Sequence, residues 1–575
     1  MRYSRLARAA VDSTSHATAS SSTALPRKAR IAIIGAGPSG FYAASRILSR
    51  TPHTDVTIDL FDRLPVPHGL VRYGVAPDHP DVKNVEHKFA AVARDPRLRF
   101  AGNVNVVHAV DGGEAYPDAV HVPLGVLARF YTHILFSYGA ATARCLGVPG
   151  SGVGELSGVY SALEFVNWYN GHPAAHDPRL RAEWFRVDLA DKQHMTVIGA
   201  GNVALDVARI VLRSSTPFLE SSARVTSNKA PGLAALEETD VPEPVLAELA
   251  RCKVRDVDIF ARRGPAQLAF TNKEVREMLA LDGIALRPPQ QQMLDAAAAQ
   301  LDALASGGSS DAGRAGEIAA EVRVKKRLLG LLGKGSKAGA GGGVKTWGLN
   351  FFRSPARVLA REGAEGVGGV EWNVTALQSG QPTLRSLDAA DPRTAAWGPA
   401  DAAPASATGH TVRTQTDMVV SSVGYQSEPL SPPAPHPPHR ILDDGRLVHL
   451  PWDSTRHIVP NVGGRIIDPS TLKPIRGAYV SGWLARGPNG VIATTMMDAY
   501  SVADVVLADL HADVGEREVD VGGDLLETLR REETKKVVGF EGWRAIDDEE
   551  KRRGQKLGKI REKILTVDEM LRIAS

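Results

Sequence analysis

The fold of this chain is decided by residues 31–40, whose sequence is Ile31-Ala-Ile-Ile-Gly35-Ala-Gly37-Pro-Ser-Gly40. A short apolar run typical of a buried strand leads directly into Gly-x-Gly-x-x-Gly, and a helical pattern follows from Phe41. In such a unit the glycines permit a tight turn, the approach of a pyrophosphate, and close packing of helix on strand. The next apolar run ends at Asp62, about where an acid binds a ribose hydroxyl. The stretch therefore predicts a dinucleotide-binding α/β domain.

A second strand–glycine unit, Thr196-Val-Ile-Gly199-Ala-Gly201-Asn-Val-Ala204, repeats the pattern with alanine at the third position. The strand expected after it ends in Arg262 and Arg263 instead of an acid. A carboxylate repels a 2′-phosphate, whereas paired arginines bind it through charge-assisted hydrogen bonds. We therefore predict NADP at the second unit and FAD at the first. Two dinucleotide sites on one chain predict electron transfer between two cofactors.

The composition excludes several other classes of protein. The two cysteines, Cys145 and Cys252, are too few for an iron–sulfur cluster or a disulfide framework. The 68 basic and 65 acidic residues leave a net charge of +3, without the basic excess of a nucleic-acid binder. No apolar run is long enough for a transmembrane helix. Redox chemistry must therefore come from a bound organic cofactor, and no metal centre is expected.

Several segments lie outside this pattern. Residues 1–29 are rich in Arg and Ser, with Asp12 as the single acid, and are typical either of a mitochondrial transit peptide or of a disordered tail. Residues 213–240 are rich in Ser and Glu, residues 297–343 mix Ala and Gly with a basic cluster, and residues 389–409 lack periodicity. These compositions predict insertions or mobile loops. A solvated helix is expected from Leu526 to Lys535.

Five longer segments carry a resemblance to a known family. They are Val66–Pro80 (VPHGLVRYGVAPDHP), Phe165–Asn170 (FVNWYN), Gly199–Arg209 (GAGNVALDVAR), Arg262–Thr271 (RRGPAQLAFT) and Ser481–Ile492 (SGWLARGPNGVI). With them the sequence resembles the adrenodoxin reductases, mitochondrial NADPH–ferredoxin reductases of glutathione-reductase-like fold. The resemblance implies two Rossmann-like α/β domains. The FAD domain would be split into residues 30–142 and 417–575, and the NADP domain, residues 143–416, would be inserted between these parts.

The glycine units and the resemblance together assign residues to each cofactor. The expected FAD contacts are Gly35, Gly37, Ser39, Gly40, Asp62, Leu70, Val106, Trp483, Gly490, Val491 and Ile492. The expected NADP contacts are Gly199, Ala200, Gly201, Asn202, Val203, Arg262, Arg263, Glu274 and Gly490. His79 and Asp206 match the family's polar groups near the nicotinamide. We expect these two catalytic candidates to assist only, because hydride transfer itself needs no protein acid or base.

The resemblance also implies a partner and a location. The partner-binding residues would be Arg276, Arg323, Lys325 and Arg327, which would dock a small acidic 2Fe–2S ferredoxin of the adrenodoxin type, although such a charge run is also typical of a solvated surface. NADPH would give a hydride to FAD, and electrons would leave singly to the ferredoxin in the mitochondrial matrix. The downstream pathways implied are iron–sulfur assembly, haem-related or cytochrome P450 pathways. Peripheral attachment to the inner membrane stays open.

Two other functions remain open on the sequence. A flavin-dependent monooxygenase also carries two glycine units, although no segment here marks a pocket for an organic substrate. A non-enzymatic, NADP-sensing interaction protein would keep the fold without turnover. Loading with FAD and bleaching by NADPH would exclude the sensor, and electron transfer to a ferredoxin would distinguish the reductase from the monooxygenase.

Overall fold

Two largely parallel β-sheets form the framework of the computed structural model. The structure describes residues 29–51, 56–108, 116–152, 154–215, 230–306, 312–336, 345–377, 405–430, 441–443, 446–512 and 523–575. Residues 1–28, which carry most of the predicted transit peptide or tail, lie outside the described residues. Within the described ranges, no helix has the length and apolar character needed to cross a membrane.

The strands and helices are numbered in chain order. The strands are β1 Ala29–Ile34, β2 Val56–Phe61, β3 Leu98–Ala101, β4 Val104–Val107, β5 Val120–Pro123, β6 His133–Phe136, β7 Thr142–Ala143, β8 Val159–Ser161, β9 His194–Ile198, β10 Asp256–Phe260, β11 Ile284–Arg287, β12 Lys345–Asn350, β13 Arg353–Ala360, β14 Val367–Leu377, β15 Ala405–Gln415, β16 Met418–Ser421, β17 Tyr425–Gln426, β18 Leu442–Asp443, β19 Arg446–Leu447, β20 Asn461–Val462, β21 Arg465–Ile467 and β22 Pro474–Val480. The helices are α1 Pro38–Arg50, α2 Leu70–Tyr73, α3 Pro80–Lys83, α4 Val85–Val92, α5 Leu124–Leu127, α6 Ala162–Tyr169, α7 Pro173–His176, α8 Asn202–Ser214, α9 Pro231–Glu237, α10 Glu243–Ala250, α11 Asn272–Ala280, α12 Gln291–Ser306, α13 Ala312–Lys334, α14 Trp483–Arg486, α15 Ile492–Ala512, α16 Leu525–Glu532, α17 Phe540–Leu557 and α18 Val567–Ile573.

The first sheet has the order β20-β21-β22-β6-β1-β2-β3. Strand β1 lies inside it, parallel to β2 on one side and to β6 on the other. Residues 31–34 of β1 are buried, as a strand covered on both faces requires. The strand order reverses at β1, and in such sheets ligands bind in the crevice at the carboxyl ends of the strands beside the reversal. The first glycine loop leaves β1 at this point.

The second sheet has the order β11-β12-β10-β9-β16-β8. Strand β9 lies parallel between β10 and β16, so that the order reverses there as well. The second glycine loop leaves the carboxyl end of β9, in the same position as the first loop in its sheet. A three-stranded antiparallel sheet, β13-β14-β15, lies in the chain between β12 and β16.

Strand β16 moves the expected domain boundary. The sequence division places residues 417–575 with the first sheet, yet Met418–Ser421 pair with β9 and β8 of the second sheet. After Ser421 the chain forms β17, which pairs with β7. Strand β7 lies where the chain first passes from the first sheet to the second. We therefore propose that the second domain is inserted between two parts of the first, and that the second domain ends after Ser421.

Much of residues 297–343 is helical, so the alternative of a mobile loop was wrong for that part. Helix α12 buries Leu294, Ala297 and Leu301 in the core of the second sheet, and α13 buries Leu328 and Leu332 there. Residues 231–237 form α9 and residues 405–409 begin β15. Residues 216–229, 307–311, 337–343 and 389–404 of the predicted insertions lie outside the described residues.

The solvated helix predicted near the C-terminus is α16, Leu525–Glu532. Its leucines at 525, 526 and 529 are fully buried, so only one face of this helix is solvated. Together with α17 and α18, it packs the C-terminal part of the chain against the first sheet.

Candidate active site

The three glycines of the first loop have different surroundings. Gly35 has a φ of +111°, and a Cβ there would lie 2.5 Å from the Cα of Tyr138. A Cβ on Gly40 would lie 2.2 Å from the carbonyl oxygen of Gly35. Around Gly37, in contrast, no described heavy atom lies within 4 Å of where a Cβ would stand. Two glycines are therefore required by the packing of the loop, and the third borders open space.

The first turn of α1 borders the same space. Gly37 caps this helix without a side-chain hydrogen bond, so the N–H groups of the first turn carry the positive end of the helix dipole. The Asp62 carboxylate braces the loop, because Oδ2 accepts from the Ala36 N–H and Oδ1 from the Leu64 N–H, both at 3.0 Å. Burial raises the pKa of Asp62, opposed by these two bonds. Each oxygen keeps a lone pair for a further donor.

A distant segment of the chain joins the first loop. The hydroxyl oxygens of Ser39 and Ser481 lie 2.7 Å apart in a buried contact, and Ser481 directly follows β22. The segment continues into α14, whose first residue, Trp483, has a buried indole N–H without a hydrogen-bond partner in the described structure. Gly490, with a φ of +85°, and the half-exposed Val491 then lead into α15, which begins at Ile492.

The remaining residues predicted to contact FAD are Leu70 and Val106. Leu70 begins the single-turn helix α2 and is half-buried. Val106 is buried in β4, where it pairs with Val122 of β5. Its side chain packs in the core on one face of the first sheet.

The second glycine loop repeats the geometry of the first. Gly199 has a φ of +112°, and a Cβ there would lie 2.2 Å from the carbonyl oxygen of Ser422. Around Gly201, no described heavy atom lies within 4 Å of a Cβ position. The flanking residues Ala200 and Val203 pack partly against the core of the second sheet. Open space therefore borders the middle glycine of both loops.

Asn202 joins the second loop to helix α11. Its Oδ1 accepts from the N–H of Thr271 at 3.0 Å, and the Thr271 hydroxyl caps α11 by accepting from the N–H of Glu274 at 3.4 Å. Oxygen Oε2 of Glu274 is buried without a hydrogen-bond partner among the described residues. An acceptor left in this state is available to a ligand donor.

Arg262 and Arg263 follow β10 side by side. Arg262 is exposed and Arg263 is half-buried. Burial, followed by the charge of Arg262, lowers the pKa of Arg263. No carboxylate of the described residues forms an ion pair with either guanidinium, so the pair is a site of uncompensated positive charge that suits a phosphate.

His79 and Asp206 belong to one charged cluster. His79 Nε2 lies 2.8 Å from Oε2 of Glu277 on α11. Arg209, fully buried on α8, donates to both oxygens of Asp78 at 2.8 and 2.9 Å, and its Nη2 lies 2.9 Å from Oδ1 of Asp206. The cluster therefore ties the segment before α3 to two helices of the second sheet.

The cluster sets the protonation of its members. The hydrogen bond with Glu277 raises the pKa of His79 more than burial lowers it. Burial raises the pKa of Asp206, opposed by Arg209 and His79. His79 therefore keeps its proton to higher pH than a free imidazole does, and Asp206 takes up a proton more readily than an exposed carboxylate.

Similarity to known proteins extends over almost the whole chain. A family model described as FAD-NAD(P)-binding matches residues 32–134. The mitochondrial NADPH:adrenodoxin oxidoreductase of Salvelinus fontinalis is 35% identical over 567 residues, 96% of this chain and 93% of that protein. The Bos taurus enzyme is 36% identical over 95% of this chain and 92% of its own length. The chain belongs to the NADPH:adrenodoxin oxidoreductase family.

Solved structures agree with this assignment. The FprA oxidoreductase of Mycobacterium tuberculosis has a TM-score of 0.71 and 31% identity, covering 95% of this chain and 100% of that one. A structure of the same protein in complex with NADPH gives a TM-score of 0.71 and 30% identity. Membership of the adrenodoxin oxidoreductase family confirms the resemblance, the fold of two Rossmann-like domains and the prediction of an oxidoreductase. The names of the relatives also confirm the mitochondrial location.

The residues predicted to dock the partner lie on α11 and α13 of this adrenodoxin oxidoreductase family member. Arg276, Arg323 and Arg327 are exposed. Lys325 is different, because its ammonium group donates to the carbonyl oxygen of Leu268. The prediction that all four cations are presented to a partner therefore needs correction, since Lys325 braces α13 against the segment before α11.

Sequence reasoning missed Arg209 and Glu277. Arg209 lies inside a quoted segment, but nothing in the sequence spacing showed that it pairs with Asp78, which is 131 positions away. Glu277 lies one helical turn after Glu274 on α11, so an i, i+3 pattern was the available signal. The contacts of both residues in this adrenodoxin oxidoreductase relative depend on how the two sheets pack against each other.

Proposed function

We propose that this protein is an NADPH-dependent reductase of an adrenodoxin-type 2Fe–2S ferredoxin, with FAD at the first glycine loop and NADP(H) at the second. The observation that carries the proposal is the repeated loop geometry, in which a strained first glycine precedes a middle glycine bordering open space. Each loop leaves an inner strand of its own sheet at the place where such sheets bind ligands. Relatives of nearly equal length, named NADPH:adrenodoxin oxidoreductase, support the same function.

The residues of the first site suit FAD. The open space at Gly37 and the uncapped first turn of α1 suit a pyrophosphate. Asp62 lies at the carboxyl end of β2 with acceptor capacity for a ribose hydroxyl. The unpartnered indole N–H of Trp483 offers a donor, and the turn at Gly490 presents the first N–H groups of α15. The contacts predicted for Ser39, Leu70, Val106, Val491 and Ile492 are part of this proposal.

The residues of the second site suit NADP(H). Open space at Gly201 leaves room for the pyrophosphate at the N-terminus of α8. Arg262 and Arg263 would hold the 2′-phosphate, and the unpartnered Oε2 of Glu274 would accept from the nucleotide. The backbone of residues 200–203 and the turn at Gly490 complete the proposed contacts.

The chain contributes positioning and charge to the reaction. When bound, NADPH supplies a hydride, and FAD accepts it and passes the electrons on singly. Glu277 keeps the imidazole of His79 in place and favours its protonated form. Arg209 holds Asp206 and Asp78 through its guanidinium. These polar groups hold one another in fixed positions between the two sheets. Such fixed geometry is the main contribution a protein makes to hydride transfer.

A single rapid-mixing experiment tests the function. The FAD-loaded protein is mixed with NADPH, and the loss of flavin absorbance is followed before a 2Fe–2S ferredoxin is added. The proposal expects rapid bleaching and then reoxidation with reduction of the ferredoxin. Failure to pass electrons to any ferredoxin would overturn it. NADPH-dependent oxygenation of an organic compound would indicate the monooxygenase, and NADPH binding without bleaching would indicate the sensor.

The ferredoxin would dock on the exposed arginines of α11 and α13, namely Arg276, Arg323 and Arg327. Reversing two charges in the R323E/R327E variant should lower the rate of ferredoxin reduction at least about tenfold at low salt, because acidic partners are steered by such patches. The rate with ferricyanide should stay unchanged. The variant R456E alters an exposed arginine elsewhere and serves as the control. Equal loss with both acceptors would contradict docking at this surface.

Two finer points extend the proposal. Peripheral attachment to the inner mitochondrial membrane is the first of these points, and co-sedimentation with vesicles of inner-membrane lipids tests it. The ferredoxin would serve iron–sulfur assembly, haem-related or cytochrome P450 pathways. Reconstitution with the ferredoxin and each acceptor system would show which of these it supplies.

A further inference from the structure

The segment of residues 559–567, called the C-terminal strap, joins α17 to α18 and contacts both domains. The C-terminal end of the chain is anchored in the first domain, where Trp543, Ile546 and Met570 pack in the hydrophobic core that contains β1. Its polar contacts reach the second domain. Lys559 Nζ donates to the carbonyl oxygen of Val241 at 2.5 Å, and the Val567 N–H donates to Oδ2 of Asp177 at 2.8 Å.

Lys563 is the central residue of the strap, and its side chain is fully buried. Its ammonium group donates to the carbonyl oxygen of Arg72 at 3.2 Å and to that of Asn170 at 2.8 Å. Arg72 belongs to the first domain and Asn170 to the second. A single nitrogen therefore fixes one backbone point of each domain relative to the other.

The same ammonium group continues into an ion-pair chain. Lys563 Nζ lies 2.9 Å from Oδ2 of Asp240, and Lys83 Nζ lies 2.8 and 2.7 Å from the two oxygens of that carboxylate. Lys83 ends α3, the short helix that begins directly after His79. The chain of charges thus runs from the strap through the second domain and back to the segment that carries Asp78 and His79.

The neighbouring contacts make this arrangement rigid. The N–H of Ile560 donates to the carbonyl oxygen of Glu238 at 3.2 Å, and the N–H of Glu243 donates to Glu562 Oε1 at 3.0 Å. A buried cation that satisfies two carbonyls and a carboxylate has little freedom to move, because each lost bond leaves a buried polar group unpaired. The contacts therefore define one relative position of the domains.

We propose that Lys563 is a positioning residue for electron transfer, holding the two domains in the arrangement that allows a hydride to pass between the two dinucleotide sites. The inference rests on the proposed function. It assigns to the C-terminal strap a part in the reaction, although none of its residues belongs to either glycine loop. Misplacement of reacting groups by about 1 Å can cost about 100-fold in rate, so a loosened strap has a measurable effect.

The test replaces Lys563 by methionine, which keeps most of the volume and removes the charge. In the K563M holoenzyme, the limiting rate of flavin bleaching at saturating NADPH should fall about tenfold. The NADPH concentration for half-maximal rate should change less than twofold, because the second glycine loop is untouched. Electron transfer from the chemically reduced protein to the ferredoxin should be unchanged. The matched control is K556M, which alters an exposed lysine just before the strap.

Hydrogen exchange provides a readout that does not depend on turnover. The amides of Ile560, Val567 and Glu243 bond between the strap and the second domain, so their exchange should accelerate in K563M and not in K556M. Faster exchange with a wild-type bleaching rate would overturn the positioning role. Unchanged exchange at all three amides would overturn the bridge itself. If NADPH does not bleach even the wild-type protein, the proposed function fails, and the exchange result still decides whether Lys563 bridges the domains.

Discussion

At the scale of single residues, Arg262 and Arg263 show how charge without a partner marks a binding site. Two adjacent guanidinium groups repel each other, and the pKa of Arg263 is lowered by burial and by its neighbour. A folded protein usually compensates such a pair with carboxylates, yet none of the described residues does so here. A bound 2′-phosphate would relieve the repulsion, so this pair should distinguish NADPH from NADH.

The first prediction concerns this pair. The R262A/R263A variant should raise the KM for NADPH at least about 100-fold, because each of the two lost bonds to a charged group costs about 1.5–3 kcal/mol and each 1.4 kcal/mol is about tenfold. The KM for NADH, which lacks the phosphate, should change little. Steady-state kinetics with both nucleotides measures the effect, with R456A as the surface control. An equal loss with NADH would show that the arginines serve the fold and not the phosphate.

The second prediction concerns pH. Because the bond to Glu277 raises the pKa of His79, the native protein holds this proton where the unfolded chain has released it. The resulting stability is complete below the ordinary pKa of histidine, about 6.5, and is lost as the pH rises through the native value. In E277Q the pKa of His79 should fall toward the ordinary value.

The measurement for E277Q is the pH dependence of flavin bleaching by NADPH, together with an NMR titration of the His79 ring. The pH at which both signals change should move downward in the variant. The exposed Glu541, changed to Gln, is the control. An unchanged titration of His79 would mean that the contact at 2.8 Å does not govern its proton.

The sequence predicted residue types better than residue contacts. Asp62 was correctly expected at the end of β2, but its bonds to the loop N–H groups were not visible in the sequence. Lys325 was expected to face a partner, whereas its ammonium group bonds to Leu268. Arg209 was absent from the predicted site. The direction of a side chain depends on what packs beside it, and spacing along the chain does not contain that information.

At the scale of elements, the strand–loop–helix unit was predictable because glycine positions are fixed by backbone geometry. The helices α12 and α13 were not, because an Ala- and Gly-rich composition obscures the apolar spacing that buries Leu294, Ala297 and Leu301. Strand β16 was assigned to the wrong side of the boundary. Its four residues carry no mark of which sheet they join, since parallel pairing is decided by distant strands.

The third prediction compares two glycines of one loop. In G199A, the new methyl group would lie 2.2 Å from the backbone of Ser422 at a φ of +112°. We expect a loss of about 2–4 kcal/mol in the free energy of unfolding from strain and overpacking. In G201A, nothing obstructs the methyl group, so stability should stay within about 0.5 kcal/mol, while NADPH binding weakens.

Urea unfolding and NADPH titration of the two variants measure these effects. The pair provides its own control, because the same atom is added two residues apart in one loop. Wild-type affinity for NADPH in G201A would contradict the proposed path of the pyrophosphate. Wild-type stability in G199A would show that the loop can move away from Ser422.

At the scale of the whole molecule, buried ion pairs join the two sheets. Arg209 Nε of the second domain lies 2.8 Å from Oδ2 of Asp78 in the first, with both side chains almost inaccessible to solvent. Asp240 holds Lys83 and Lys563 from two separate parts of the chain. A buried pair contributes little compared with a well-packed apolar substitute, yet removing one partner is costly. Such pairs therefore specify one arrangement of the domains more than they add stability.

The last prediction removes the shared anion. In D240N the buried Lys563 and the partly buried Lys83 lose their carboxylate, and burial already lowers the pKa of Lys563 to about 7. We expect a loss of about 3–5 kcal/mol in the free energy of unfolding, measured by urea denaturation of the holoenzyme at neutral pH. The charges of Lys563 and Lys83 overcome the effect of burial and hold the pKa of Asp240 well below its usual range.

The sign of the pH effect follows from that direction. The stability contributed by Asp240 is present above the ordinary pKa of an aspartate and is lost as the pH falls through the lower native value. The difference between wild type and D240N should therefore shrink in acid. The control D191N changes a carboxylate that is 85% exposed and pairs only loosely with Lys253, so its unfolding should match the wild type. A D240N protein as stable as D191N at neutral pH would show that water, and not this carboxylate, balances the two lysines.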